Sequence, residues 1–234
     1  MIIKEHTPYN INDAVYSIKA KVAAKPLELE QKTNIPSFNS LLKDSYASFK
    51  ASIVCLKLKL YNLSEPKDKL LVYRTLSSEV TKTLAEDKDC FDSFAFGDYV
   101  FGVFYTPMKE SMTRLIDCMA KINSTIMLFK NISGITDFEY VISALYGDVY
   151  FINNTESNGK VDYNWCGDIF EKTKQVAEYY STEIVRISDF IYGNIPVNYQ
   201  KFFSLVVPGD HIYGANVVNT QFNNWKDDSV ISNK

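Results

Sequence analysis

Hydrophobic and polar positions change period several times along the chain, and each change marks an element. Phe49–Tyr61 alternates, with Val54, Leu56, Leu58 and Leu60 on one side and Ile53, Cys55, Lys57, Lys59 and Tyr61 on the other. Period two over this length predicts a strand. Asn62–Pro66 reads as a turn, with Ser64 placed to cap the next helix and Pro66 suited to its first turn. Leu70, Tyr73, Leu76, Val80 and Leu84 then recur at helical spacing to about Glu86. Two runs rich in Phe, Tyr and Val, Phe91–Phe96 and Tyr99–Tyr105, flank Gly97-Asp98 and predict a hairpin. Pro107 opens a second long helix, with Met108, Met112, Leu115, Ile116, Met119, Ile122, Ile126 and Phe129 as its apolar stripe. Phe138–Ile152 predicts one long strand, or a pair broken at Gly147-Asp148. A polar loop at Asn153–Lys160 and a third helix at Gly167–Tyr180 follow. Glu183–Ile187 and Phe202–Val207 read as short strands, and Pro208–Asp210 as a turn.

The order strand, helix, hairpin, helix, strand, helix, strand predicts an α+β fold, a central and mostly antiparallel sheet with helices on one face. Residues 1–45 read as an N-terminal extension packed on the main domain, in which Ala14–Ala24 carries helix formers and Lys25-Pro26 ends them. The main domain is expected over 46–227, with 228–234 a frayed tail. A sheet face left uncovered would expose Tyr and Phe, of which there are 16 and 15, and such a patch is usually an interface. A homodimer is therefore expected.

Composition narrows the partners. The chain has 234 residues, 46% of them hydrophobic, enough for a sizeable core and against bulk disorder. The formal net charge is −3 and no basic run is present, so a nucleic-acid polymer is not an expected partner. A nucleotide monomer needs only a few groups. No apolar run approaches the roughly 20 residues that span a bilayer, and the N-terminus does not resemble a signal peptide. No membrane association and a cytoplasmic location are expected. Cysteines at 55, 90, 118 and 166 form no CxxC pair and only two histidines are present, which argues against zinc and for free buried thiols.

The unusual feature is Asp98, a carboxylate at the tip of an apolar hairpin. Asp and Gly are ordinary turn residues, so one reading is purely conformational. The other is a metal-holding Asp presented at a rigid bend. Four stretches bear on the choice: Lys59–Ser64 (KLYNLS), Phe96-Gly97-Asp98, Ala144–Val149 (ALYGDV) and Tyr163–Gln175 (YNWCGDIFEKTKQ). With the element order and helix lengths, they make the chain resemble the class III nucleotidyl cyclase catalytic domain over roughly 50–225. It looks closest to the bacterial antiphage cyclases that make cyclic UMP or cyclic CMP, the Pycsar type, with degenerate active-site motifs. The tail YGANVVNTQFNNW is similar to the ends of those bacterial enzymes.

The resemblance implies a ferredoxin-like cyclase fold and a reaction converting a pyrimidine nucleoside triphosphate to a 3′,5′-cyclic monophosphate and pyrophosphate. It implies Mg²⁺ or Mn²⁺ on paired carboxylates, and a dimer that shares its sites between chains. Asp98 matches the hairpin carboxylate. Its first-strand partner should stand at Lys59, or at Lys57 in a register shifted by two, and both are lysine. An ammonium has no lone pair for a metal, but it can take the metal's place and meet a phosphate as a point charge. The other reading of Lys57 and Lys59 is a solvated strand face. Asp92 and Asp148 are the other carboxylates available to an active enzyme. On the third helix the family's Asn falls on Glu171 and its Arg on Gln175, and a solvated helix face is the plain alternative. The base-reading positions fall on Asp92 and Asn164. They lack the adenine pattern, and an Asn amide can pair with a uracil or cytosine edge. Two functions follow, a pyrimidine cyclase of antiphage signalling, or a degenerate module that dimerises, with itself or with an active cyclase chain, and binds a nucleotide or protein partner as a sensor or regulator.

Overall fold

A computed structural model describes residues 10–23, 31–35, 37–42, 46–153, 162–221 and 224. Most of the expected loop at Asn153–Lys160 and the tail from Trp225 onward lie outside these residues. Two short elements come first, helix α1 (Ile11–Ala23) and helix α2 (Phe38–Leu41). Strand β1 (Tyr46–Lys59), helix α3 (Pro66–Ala85), strands β2 (Cys90–Phe96) and β3 (Tyr99–Phe104), helix α4 (Lys109–Ser133) and strand β4 (Glu139–Asn153) follow. These six form a split βαβ unit whose four strands lie in the order β2-β3-β1-β4, all antiparallel. Strand β5 (Tyr163–Cys166) pairs with the end of β4, and helix α5 (Asp168–Glu178) crosses back over the sheet. Strand β6 (Val185–Ser188) runs parallel to β4. Short helices α6 (Asp189–Asn194) and α7 (Val197–Gln200) lead to strands β7 (Ser204–Val207) and β8 (Ile212–Ala215), which complete the sheet as β6-β8-β7.

Alternation in β1 separates two cores. Val54, Leu56, Leu58 and Leu60 are buried with Leu76, Val80 and Leu84 of α3 and Leu115, Met119, Ile122 and Ile126 of α4. The two long helices thus share one face, as the pattern predicts. Phe49, Ala51, Ile53 and Cys55 point the other way, into a second core with Phe151 and Ile169. That face is covered within the chain, where the sequence suggested an exposed aromatic patch. Ile35 and Leu41 are buried on it, and Tyr105 donates a hydrogen bond to Thr33 O (3.0 Å) and accepts one from Ile35 N (3.2 Å). Phe38 packs edge-on against Phe151 and stacks on Trp165. Part of the aromatic surplus that suggested a dimer seam closes this layer, and a comparable part packs in the first core.

Local differences have local causes. Helix α3 starts after Glu65, which makes no side-chain cap, and Ser64 plays no part. Its buried positions are Val72, Leu76, Val80 and Leu84, four residues apart, so Leu70 turns outward and is 68% exposed. Met108 of the second stripe is likewise exposed and serves as the N-cap position of α4. Gly147-Asp148 does not interrupt β4, because the ladder to β1 runs unbroken from Tyr46↔Ile152 to Lys59↔Glu139. Strands β5 and β8, four residues each, are too short to show a period and went unpredicted. The four cysteines are free, and Asn123, one of four Asn-x-Ser/Thr triplets, is a buried structural residue bonded to Tyr140 and Val217. Among the described residues no helix is long and apolar enough to cross a membrane.

Truncating Leu76, fully buried, should cost about 2–5 kcal/mol in a urea titration, whereas Leu70→Ala should change stability by no more than about 0.5 kcal/mol. Equal losses would overturn the helix face described.

Candidate functional site

Gly97 sits at φ 60°, the left-handed conformation that glycine adopts without strain, and this lets β2 return as β3 with Asp98 at the tip. The tip is pinned to the central strand, since Leu58 N donates to Asp98 O at 2.9 Å. Lys57 stands opposite Tyr99 in the β1–β3 ladder, so its side chain lies beside Asp98. The Lys57 ammonium is 2.6 Å from Asp98 Oδ2, donates to the Tyr99 hydroxyl at 2.9 Å and lies 3.3 Å from Glu178 Oε1. Glu178 also approaches Lys59 at 3.7 Å and accepts from the Tyr99 hydroxyl at 3.3 Å. Burial disfavours the charge on Lys57, but Asp98 and Tyr99 outweigh it and hold the ammonium above the ordinary lysine range.

These groups line a cleft of about 460 Å³ at the end of β1, closed on its far side by Lys69 and Tyr73 of α3. Three lysines face two carboxylates there. Burial, followed by the charge of Asp98, raises the Tyr73 phenol above its usual value, so it remains a neutral donor at neutral pH.

The structure brings together Asp98, Lys57 and Lys59 from the predicted set and adds Glu178, which the sequence reading missed. Glu171, Gln175 and Glu178 share one stripe of α5 by helical spacing. Only Glu178 reaches the cleft. Glu171 pairs instead with Lys174 at 2.8 Å, and Gln175 is exposed. The end of α5 is fixed from below by Arg186, 1% exposed. Its guanidinium donates to Val176 O (2.8 Å), Tyr179 O (2.7 Å), Ser181 O (3.1 Å) and Glu183 O (3.0 Å). This clamp fixes the turn carrying Glu178, and no periodicity announces it.

Asp92 and Asn164 meet elsewhere, in a cleft of about 520 Å³ with Tyr163 and Trp165. Asp92 accepts from Trp165 Nε1 at 2.7 Å. Burial first, then the neighbouring Asp92, pushes the Tyr163 phenol up to about 12. Asp148, the other candidate carboxylate, pairs with Lys50 at 2.8 Å. Lys50 is seven residues, roughly 23 Å, along β1 from Lys57, so Asp148 cannot join Asp98. The donor set at Asp98 does not fit a divalent ion. Its carboxylate is committed to an ammonium, and the nearest other acid, Glu178, faces two more cation contacts. No group of three or more His, Cys, Asp or Glu able to hold a metal occurs among the described residues.

No family model matches the chain, and no curated protein matches it. Solved structures do match. A class III adenylyl cyclase-like ATP-binding protein from Pseudomonas aeruginosa superposes with TM-score 0.63 at 11% identity, over 91% of this chain and 49% of that one. A bacterial light-regulated adenylyl cyclase gives 0.62 at 14%, over 92% and 68%. The adenylyl cyclase CyaB from P. aeruginosa gives 0.57 at 14%, over 75% and 97%. The chain therefore has the fold of the class III nucleotidyl cyclase domain, and it spans about half the length of the first of these proteins. At such identities the likeness is one of fold, and chemistry must be argued from the side chains.

Lys57→Met removes the shared cation and leaves Asp98 and Glu178 facing each other. It should cost about 2 kcal/mol, most of which a second change, Glu178→Gln, should recover. Because the folded state holds Lys57 above its ordinary value of about 10.4, its contribution is complete below that pH and is lost only as pH rises through the higher folded value. The wild-type and Lys57→Met stabilities, measured by denaturation from pH 7 to 9.5, should run parallel. A gap that closes within that window would show that Lys57 is not held charged.

Proposed function

We propose that the chain is a nucleoside triphosphate-binding module of cyclase fold that does not cyclise its ligand, and that serves as a sensor or regulator. The observation that carries this reading is the Lys57 ammonium 2.6 Å from Asp98 at the hairpin tip. A fixed cation there does the electrostatic part of a metal's work, attracting phosphate oxygens as a point charge, while it cannot act as a Lewis acid on a hydroxyl. Lys59 and Lys69 line the same cleft and widen the anion site. Glu178 competes with the ligand for Lys57 and Lys59.

Calorimetric titration of triphosphates in EDTA tests this. Wild-type protein should bind without metal, Glu178→Gln should bind roughly tenfold tighter, and Lys57→Asp should bind only when Mg²⁺ or Mn²⁺ is added. Binding that requires metal in the wild type would overturn the reading.

A second reading is conversion of a pyrimidine nucleoside triphosphate to its 3′,5′-cyclic monophosphate in bacterial antiphage signalling. It draws support from Asp92 and Asn164 lining one cleft. It requires a carboxylate partner for Asp98 that is not held by lysine; Glu178 in the same cleft is engaged by Lys57 and Lys59, so a homodimer mate or an active cyclase chain would bring one. Incubation with each of the four triphosphates and Mn²⁺, followed by chromatography, decides it. A cyclic product abolished by Asp98→Ala would replace the first reading with this one.

A further inference from the structure

The lysine-lined cleft does not end at Lys59. A second cleft of about 590 Å³ adjoins it, and the two share Lys59, Tyr61 and Glu178. Its walls include Phe138, Tyr179 and Tyr180, the carboxylates of Glu139 and Glu183, and two cations already engaged with backbone carbonyls, Lys130 with Thr136 O (3.1 Å) and Phe138 O (2.6 Å) and Arg186 with the four named above. Tyr180 is 99% exposed and Tyr61 66%. Among the described residues neither ring packs on another aromatic ring. The Tyr61 hydroxyl donates to Glu139 Oε2 at 2.8 Å, which fixes the ring where the two clefts meet. Anion site, junction and aromatic wall follow one another as phosphate, sugar and base do in a nucleotide. The cleft of Asp92 and Asn164 has no lining residue in common with the lysine cleft.

We propose that a nucleotide held by a single chain places its base in this second cleft, on the faces of Tyr61 and Tyr180, and that the base carries an exocyclic amine. This rests on the nucleotide-binding reading above and adds to it where the base goes and which bases fit. Aromatic faces take any base, because every base has a π surface. Selection comes from the carboxylates. Glu139 accepts from Tyr61, and Glu183 from the Ser181 hydroxyl, yet each carboxylate has further lone pairs. Those lone pairs accept from an exocyclic amine, as carboxylates accept from cytosine N4. Uracil carries no exocyclic amine; its single edge donor, the N3–H, is flanked by two carbonyls, so a carboxylate that reaches it meets their lone pairs on either side. Cytidine and adenosine triphosphates are therefore favoured over uridine triphosphate.

The test is calorimetric titration in EDTA of tripolyphosphate, CTP, ATP and UTP into the full chain and four variants. Tyr61→Ala, Tyr180→Ala, Tyr61→Phe and Asn164→Ala all alter exposed side chains, and thermal melts check that each is folded. CTP and ATP should bind more tightly than UTP. Tyr61→Ala and Tyr180→Ala should each weaken them about tenfold or more, Tyr180→Ala should leave tripolyphosphate unchanged, and Tyr61→Phe should retain most of the affinity. Triphosphates that bind no better than tripolyphosphate would overturn the base cleft and leave the anion site standing. So would an affinity lost in Asn164→Ala but kept in Tyr61→Ala, which would send the base to the other cleft. No binding of tripolyphosphate or any nucleotide would overturn both this inference and the reading beneath it.

Discussion

Everything in this molecule hangs on a strand that is buried on both faces. β1 is hydrogen-bonded to β3 on one side and β4 on the other, and its side chains must alternate between two cores. The leucines at 56, 58 and 60 meet the long helices, so residues 57 and 59 are forced to the opposite face. There the second core has run out, and the strand end opens toward the tip of the hairpin and the end of α5. Lysine is tolerated at these positions because acids arrive from both sides: Asp98 from the hairpin and Glu178 from the helix. A half-buried cation without such partners would meet a desolvation penalty with nothing to offset it.

The same constraint sets the chemistry that is open to the chain. To hold a divalent ion, the hairpin carboxylate would need further oxygen ligands facing it across the strand. Here the facing group is an ammonium, and the charge that a divalent ion would bring is already covalently attached. An ammonium in that place can attract a phosphate oxygen as a point charge and cannot act as a Lewis acid on a hydroxyl. Arg186, deep beneath α5, matters to this arrangement although it does not line the lysine cleft itself. Its four carbonyl contacts hold the turn from which Glu178 reaches the lysines.

Two uses of the aromatic residues bear on the site. Phe38, Phe49, Phe151 and Trp165 close the second core under the segment at 31–42, so the sheet is sandwiched rather than open. Tyr61 and Tyr180 remain in water beside the charged cleft. Composition counts both uses alike and could only forecast a large apolar face.

By itself the sequence determined the elements whose cause is local. Alternation marked β1, helical spacing marked α3 and α4, and a Gly-Asp joint between β-rich runs marked the hairpin and put Asp98 at its tip. Alternation also placed Lys57 and Lys59 together on one face. Tertiary structure decided what those residues meet. The β1–β3 register chose Lys57 over Lys59 as the partner of Asp98. The crossing of α5 delivered Glu178 to Tyr99, 79 positions away, in preference to Glu171 or Gln175 on the same stripe. Trp165 claimed Asp92, and the N-terminal segment covered the face that looked free. Period along a chain reports which side of an element a residue occupies. It carries no information about strand register, helix crossing or side-chain reach between distant segments, and the site is made of those three.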